Sequence, residues 1–365
     1  MGTLTRDELR SYLTSSYEKE NAREILEKDK AVLVLLDLMK ESDDLYDLSI
    51  GALTEQIFGF YDFETREMKL IGAGQKLTPR EELSLVHEYV HALQDQHFNL
   101  GGRLKEAKGN GERSLTLRSL SEGDATLFMG LYGQKYMTPE QRNAATNGDQ
   151  AGVPSQQGMQ SAPPVLEWQL LFPYLRGMAF TMSLYKKDGV VEIQRAFANP
   201  PTTSEQILHV QKYWANEGPQ TVDPPDLAPV LGEGWSKWHE DSMGEFGLWC
   251  YLRGGLSDEL SFKASDGWGG DRLALYRNAE GKHALVLATS WDAPQEAEQF
   301  FAALGELYKA KKSVNATSQD GQRFTWLGSG RSGYVGMREK QVVVVISPDD
   351  GATSKMVGGI TPLLR

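Results

Sequence analysis

Charged and apolar residues recur at helical spacing from about residue 8 to 29, and a short apolar segment follows at 31–39, so the pattern predicts helices over residues 5–54. The period then changes. Gln56-Ile57-Phe58-Gly59-Phe60-Tyr61 reads as a strand, Asp62-Phe63-Glu64-Thr65 as a turn, and residues 67–71 as a second strand pairing back. Thr78-Pro79-Arg80-Glu81 carries a helix start, with Thr as the cap, Pro at the first helical position and Glu at the third. The helix it opens is predicted to reach about His97, with Gly101-Gly102 breaking the pattern behind it. A further helix spans about 112–136.

Residues 138–164 are rich in Gln, Asn, Gly, Ser, Ala and Pro, and a loop of that length inside a domain suggests a mobile cover or a tether. Helical spacing returns at 165–187 and 189–198. Another helix opens within Pro200-Pro201-Thr202-Thr203-Ser204-Glu205-Gln206, where Thr202 and Glu205 have capping-box spacing. Residues 215–234 contain Pro219, Pro224, Pro225 and Pro229 without periodicity, and a domain connection is placed there. Beyond it the pattern predicts a helix near 241–254, strands near 271–277 and 283–289, a helix at 293–311, and strands near 322–328, 332–337 and 340–347. This order suggests an antiparallel sheet with helices on one face. The fold class is therefore α+β: a mainly helical domain with a small β-hairpin over 1–230, then an antiparallel-sheet α+β domain over 231–365.

Composition narrows the function. Lys and Arg number 38 against 50 Asp and Glu, a net charge of −12. Nucleic-acid binders need the opposite balance to displace counterions, so nucleic acid and anionic membrane are not expected partners. The lone Cys250 excludes a disulfide scaffold and any Cys-rich metal module, and its apolar neighbours predict a buried, inert thiol. No stretch holds the roughly 18 apolar residues of a membrane span. The opening Met1-Gly2-Thr3-Leu4-Thr5-Arg6 has no apolar signal core, and it fits either a native start or the mature part of an exported protein. Location is left open.

The chemistry lies at residues 87–91, His-Glu-Tyr-Val-His, inside the helix opened by Thr78. Helical positions four apart share a face, so His87 and His91 can aim ring nitrogens at one zinc ion. Glu88, beside the first histidine, can reach a metal-activated water as general base without ligating the metal. A catalytic zinc usually takes three protein ligands, and the third must come from elsewhere in the chain. His97 has the spacing of H-E-x-x-H-x-x-G-x-x-H peptidases, but Gln94 stands where those need Gly. In a continuing helix His97 lies about 9 Å along the axis from His91 and about 240° around it. Glu122 is the better candidate, in the next long helix beside Gly123, a mid-helix glycine that marks close packing. Glu112, Asp124 or no third ligand at all are the remaining alternatives. Asp95 and Asp124 are candidates to hydrogen-bond a ligand histidine.

His87-Glu88-Tyr89-Val90-His91 followed by a helical glutamate resembles the gluzincin class of zinc metallopeptidases. The longer string from His87 through Ala92-Leu93-Gln94-Asp95-Gln96-His97-Phe98, with Glu122-Gly123-Asp124-Ala125, is similar to a little-characterised group of bacterial neutral zinc metallopeptidases. So are Phe58-Gly59-Phe60-Tyr61-Asp62, the segment from Pro201 to His209, and Gly267-Trp268-Gly269-Gly270-Asp271-Arg272, which extends the likeness over about 45–290. Val210 departs from it, standing where Pro is expected. The resemblance implies a zincin-like N-terminal domain, zinc ligands His87, His91 and Glu122, Glu88 as base, and a peptide or protein substrate. It also implies a Tyr or His that steadies the oxyanion. His209, expected in the second turn of its helix, and Tyr174 are the candidates for that role.

Other features have bland explanations. Gly267-Trp268-Gly269-Gly270-Asp271 precedes a strand, so it reads as a tight turn rather than a phosphate loop. Trp235, Trp238, Trp249 and Trp268 read as core. The leading expectation is a zinc metallopeptidase. The alternatives are a catalytically idle peptidase-like scaffold that binds peptides or a protein partner, and a metal-dependent hydrolase of another amide or ester.

Overall fold

A computed structural model of the chain describes residues 2–19, 22–72, 76–146, 162–311, 315–328 and 330–364. Contacts divide it into two units, residues 1–26 with 42–217, and residues 27–41 with 218–365. The division expected at residue 230 thus falls earlier, and the second unit also takes in an early segment. No described helix is long and apolar enough to cross a membrane.

The first unit opens with β1 (Gly2–Leu4), α1 (Arg6–Lys19) and the start of α2 (Ala22–Leu35), followed by α3 (Leu45–Gln56). The hairpin is β2 (Gly59–Asp62) and β3 (Glu67–Ile71); β1 joins it parallel to β3, giving the order β1-β3-β2. Then come α4 (Pro79–Phe98), α5 (Leu100–Glu106), α6 (Gly111–Tyr136) and α7 (Pro139–Thr146). After them run α8 (Pro164–Ala198), α9 (Ser204–Leu208) and α10 (Val210–Trp214).

The start of α4 is the capping box expected: Thr78 Oγ1 accepts from Glu81 N–H at 3.3 Å and the Glu81 carboxylate accepts from Thr78 N–H at 2.6 Å. It ends at Asn99, whose φ of 53° is left-handed. The break therefore precedes Gly101-Gly102, and these glycines sit inside α5. Gly101 is needed for space, since a Cβ there would lie 2.8 Å from Phe63 Cβ. The loop expected over 138–164 begins as helix α7 and its residues 147–161 lie outside the described residues.

Helices α6 and α8 pack at backbone contact. A Cβ on Gly123 would lie 2.2 Å from the carbonyl carbon and oxygen of Gly177, and one on Gly177 would lie 2.0 Å from the Ser119 carbonyl oxygen. Gly123 thus marks the close approach that its mid-helix position predicts. Helix α8 is interrupted at Asp188 and Gly189, where the sequence pattern also divides.

The second unit adds α11 (Ala228–Leu231), β4 (Ser236–Asp241), α12 (Gly244–Arg253), α13 (Asp258–Ser265), β5 (Trp268–Arg277) and β6 (His283–Trp291). It continues with α14 (Pro294–Ala310), β7 (Asn315–Asp320), β8 (Arg323–Gly328), β9 (Arg331–Arg338), β10 (Gln341–Ser347) and α15 (Asp350–Ile360). Among the described residues the strands form a seven-stranded antiparallel sheet of order β4-β5-β6-β10-β9-β8-β7. The protein is α+β, as the pattern predicts. Helices cover both faces of this sheet, however, not one. Ala284, Val286 and Ala288 of β6 and Val343 and Val345 of β10 share a core with Met356 and Ile360 of α15. The alternate residues Leu285, Leu287, Val342, Val344 and Ile346 are equally buried, and Trp291, on the same side of β6, packs its ring 4.8 Å from Phe300 of α14. Residues 284–288 of β6 and 342–346 of β10 are apolar on both faces, so each face needs a cover.

Residues 27–41 are tied into this unit through the end of α2. Arg331 donates to the Val34 and Leu35 carbonyls at 2.7 and 2.9 Å and pairs with Asp37, and Lys311 reaches Asp37 at 2.9 Å. Two cations thus complete the carbonyl end of a helix.

Candidate metal centre

One turn of α4 and one residue of α6 build the site. His87 and His91 stack on one face of α4, and both rings are buried. Glu122 of α6 brings Oε2 to 3.0 Å from His87 Nε2 and 3.4 Å from His91 Nε2; the two Nε2 atoms are 3.1 Å apart. Among the described residues these three form a group able to hold one ion. A tetrahedral ion with nitrogen or oxygen ligands at about 2.0–2.1 Å separates neighbouring ligand atoms by about 3.3–3.4 Å. The three distances match the edges of such a face to within a few tenths of an ångström. Two imidazole nitrogens and one carboxylate, leaving a fourth position, are a donor set suited to a catalytic divalent ion.

The electrostatics are those of a buried anion between two rings. Burial opposes charge on His91, but Glu122, Glu88 and Gln94 hold its pKa at about 9. Burial likewise opposes charge on Glu122, yet His91 and His87 hold it well below the usual carboxylate range. Glu88 is raised instead, by burial first, against the lowering pull of His91 and His87. Its Oε2 accepts from the Tyr61 N–H of β2 at 2.8 Å, so the hairpin edge orients the carboxylate.

Tyr174 of α8 joins the site. Its ring stacks on His87 with centroids 6.2 Å apart, and burial together with Glu122, to which its hydroxyl is hydrogen-bonded, raises its pKa well above 10. The hydroxyl is therefore a permanent donor. The backbone contact between Gly123, next to Glu122, and Gly177, one turn from Tyr174, allows this. His209 is not part of the group. It stands between α9 and α10 with non-helical φ −125° and ψ 84°, because α9 ends at Leu208. The cap of α9 is Thr203, accepting from Gln206 N–H at 3.2 Å, not Thr202.

The other candidates take structural posts. His97 lies exposed in the last turn of α4, which continues past it. Glu112 accepts from the backbone N–H and hydroxyl of Ser204 at 2.7 and 3.0 Å. Asp95 accepts from Tyr61 Oη at 3.2 Å and Gly101 N–H at 3.0 Å instead of a histidine. Asp124 is buried and pushed up to about 6 by that burial; it meets His91 only through Gln94. Gln94 and the Tyr61 backbone are the groups that sequence reasoning misses. For Gln94 a signal exists, a polar residue three positions after His91 on the buried face of the helix. For a backbone N–H there is none.

Outside the site, the Gly-rich segment expected as a tight turn is instead the opening of β5, with a bulge between Trp268 and Gly270, and Asp271 ties it to α12. Its buried carboxylate accepts from Met243 and Gly244 N–H at 2.8 Å, Ser242 Oγ at 2.9 Å and Trp268 Nε1 at 3.0 Å, anchoring the start of α12. Trp249, Trp268 and Cys250 are buried, and burial pushes the Cys250 thiol up. Residues 233–356 match a family model described as a domain of unknown function (DUF8575). No curated protein and no solved structure matches the chain. The family match covers the sheet-bearing part of the sequence and none of the residues His87, Glu88, His91, Glu122 or Tyr174.

Proposed function

We propose that the chain is a zinc-dependent metallopeptidase. The observation that carries this reading is the triangle of His87 Nε2, His91 Nε2 and Glu122 Oε2 at 3.0–3.4 Å, with the Glu88 carboxylate buried beside it. A bound zinc supplies Lewis acidity and brings the pKa of water towards about 7. His87, His91 and Glu122 would hold it. Glu88, held at Oε2 by the Tyr61 N–H, takes the proton of the attacking water on its other oxygen and returns it to the leaving amine. The upward shift that burial gives Glu88 suits a group that must both take and return a proton. Tyr174 Oη donates a hydrogen bond to the charge that develops on the carbonyl oxygen, moving from its contact with Glu122. The likeness of residues 87–98 and 122–125 to gluzincin metallopeptidases supports peptide bonds as the substrate.

Elemental analysis of protein purified without chelator should give about one zinc per chain. Digestion of a peptide library, with and without chelator, should show cleavage that zinc restores. Glu88→Gln should keep the zinc and abolish turnover. A chain that refuses added zinc, or a Glu88→Gln variant as active as wild type, overturns the proposal. Zinc binding without hydrolysis in the wild type points to the idle scaffold.

A further inference from the structure

The question of what makes His91 a competent ligand rests on the proposed metal centre. A neutral imidazole ligates through the nitrogen that carries no proton, so its proton must sit on the other one. Gln94 decides this for His91. Its Nε2 lies 3.0 Å from the Ser121 carbonyl oxygen and 2.8 Å from Asp124 Oδ2. Turning the amide over would set oxygen against oxygen at both contacts. Oε1 is therefore held 2.9 Å from His91 Nδ1, where it can only accept. In the neutral ring that ligation requires, the proton belongs on Nδ1, which leaves the Nε2 lone pair for an ion held between His91, His87 and Glu122. His87 has no counterpart, since its buried Nδ1 lacks a hydrogen-bond partner among the described residues. Ser121 and Asp124 flank Glu122 on α6, so the bridge that orients His91 also sets the spacing between that ring and the carboxylate.

We propose that Gln94 is a positioning residue that locks His91 in its Nδ1–H tautomer and, through Ser121 and Asp124, fixes Glu122 opposite it. The test uses the full chain. Gln94→Met keeps the length and removes both ends of the bridge. Its zinc affinity, measured by competition with a chromophoric chelator, should fall about 10–100-fold. Nitrogen-15 NMR of histidine-labelled, metal-free protein, followed to alkaline pH until the ring signals stop shifting, should show His91 passing from Nδ1–H in the wild type to a tautomer mixture in Gln94→Met. Gln94→Glu combined with Asp124→Asn exchanges donor and acceptor at the 94–124 contact while conserving charge and keeps an oxygen towards His91; it leaves an oxygen facing the Ser121 carbonyl, so it should recover part of the affinity that Gln94→Met loses. Wild-type affinity and an unchanged tautomer in folded Gln94→Met overturn the inference while leaving the metal centre standing. A wild type that takes up no zinc overturns the proposed function instead, and the tautomer still decides the role of Gln94. If Gln94→Met does not fold, the double variant carries the test, and an affinity as low as that of His91→Ala overturns the inference.

Discussion

Replacing Gly123 with Ala sets two effects against each other. Ala is a better helix former than Gly by about 1 kcal/mol, so helix propensity alone predicts stabilisation of α6. The packing argues the reverse. The new Cβ would stand 2.2 Å from the Gly177 carbonyl carbon and oxygen and 2.7 Å from Met178 N, all backbone atoms. Ordinary carbon contacts are about 3.5–4.0 Å, so α6 and α8 must separate by more than about 1 Å. Overpacking of this kind costs about 1–3 kcal/mol, and the upper end applies because no side chain can swing aside. The net expectation is a loss of about 1–2 kcal/mol, with the Tyr174–Glu122 hydrogen bond broken. Gly130→Ala is the control. It lies on the same helix, exposed, with nothing within 4 Å of the added carbon, and should stabilise by up to about 1 kcal/mol. Hydrogen exchange of α6 and α8 amides against denaturant reads the stability of this unit directly. A Gly123→Ala protein at least as stable as wild type would refute the close-contact argument.

Glu122→Ala should weaken zinc binding strongly while His97→Ala leaves it intact; chelator competition separates them, and the reverse order would move the third ligand to His97. Tyr174→Phe should lower kcat by about 10²–10³ with KM and zinc content unchanged, whereas His209→Ala should leave turnover of the folded protein alone, as steady-state kinetics would show. Asp29 is pushed up to about 7, first by burial and then by the Asp241 carboxylate. Folding therefore favours its protonated form, and the ionised form destabilises increasingly as pH rises from its ordinary 3.8 towards 7. Asp29→Asn should raise the denaturation midpoint of the second unit above pH 7, and the gain should fade on acidification; an equal gain across that range would remove the linkage.

Local signals were the ones legible in the sequence. Thr78 and Glu81 define the start of α4 by contacts within four residues, and the helix period then carries His87, Glu88 and His91 to known places on one face. Glu122 was readable for a second reason, the cost of Gly123 in a helix interior, and the structure gives that cost its cause in Gly177. What was missed depends on distant partners. Three residues of β1 carry no period, and their pairing is set by β3. The covering of both sheet faces depends on α15, a Gly-rich segment with a weak apolar stripe. His209 falls outside the helix expected to carry it because α9 stops after five residues, and short helices are fixed by tertiary contacts more than by their own caps. Gln94 reads only as the residue in the place of a Gly until Ser121 and Asp124 lie beside it.

The join between residues 27–41 and the sheet unit imposes an order in time. Asp37 leaves the ribosome 294 residues before its partner Arg331. At about 5–20 residues per second, that interval is roughly 15–60 s of synthesis. Throughout it the apolar segment around Leu33, Leu35, Leu36 and Leu38, buried in the finished fold, has no sheet unit to enter. The N-terminal unit can meanwhile close around its own helices, since residues 42–217 emerge without interruption. The nascent chain thus carries an early apolar segment awaiting a late partner, and that segment is where a chaperone would act.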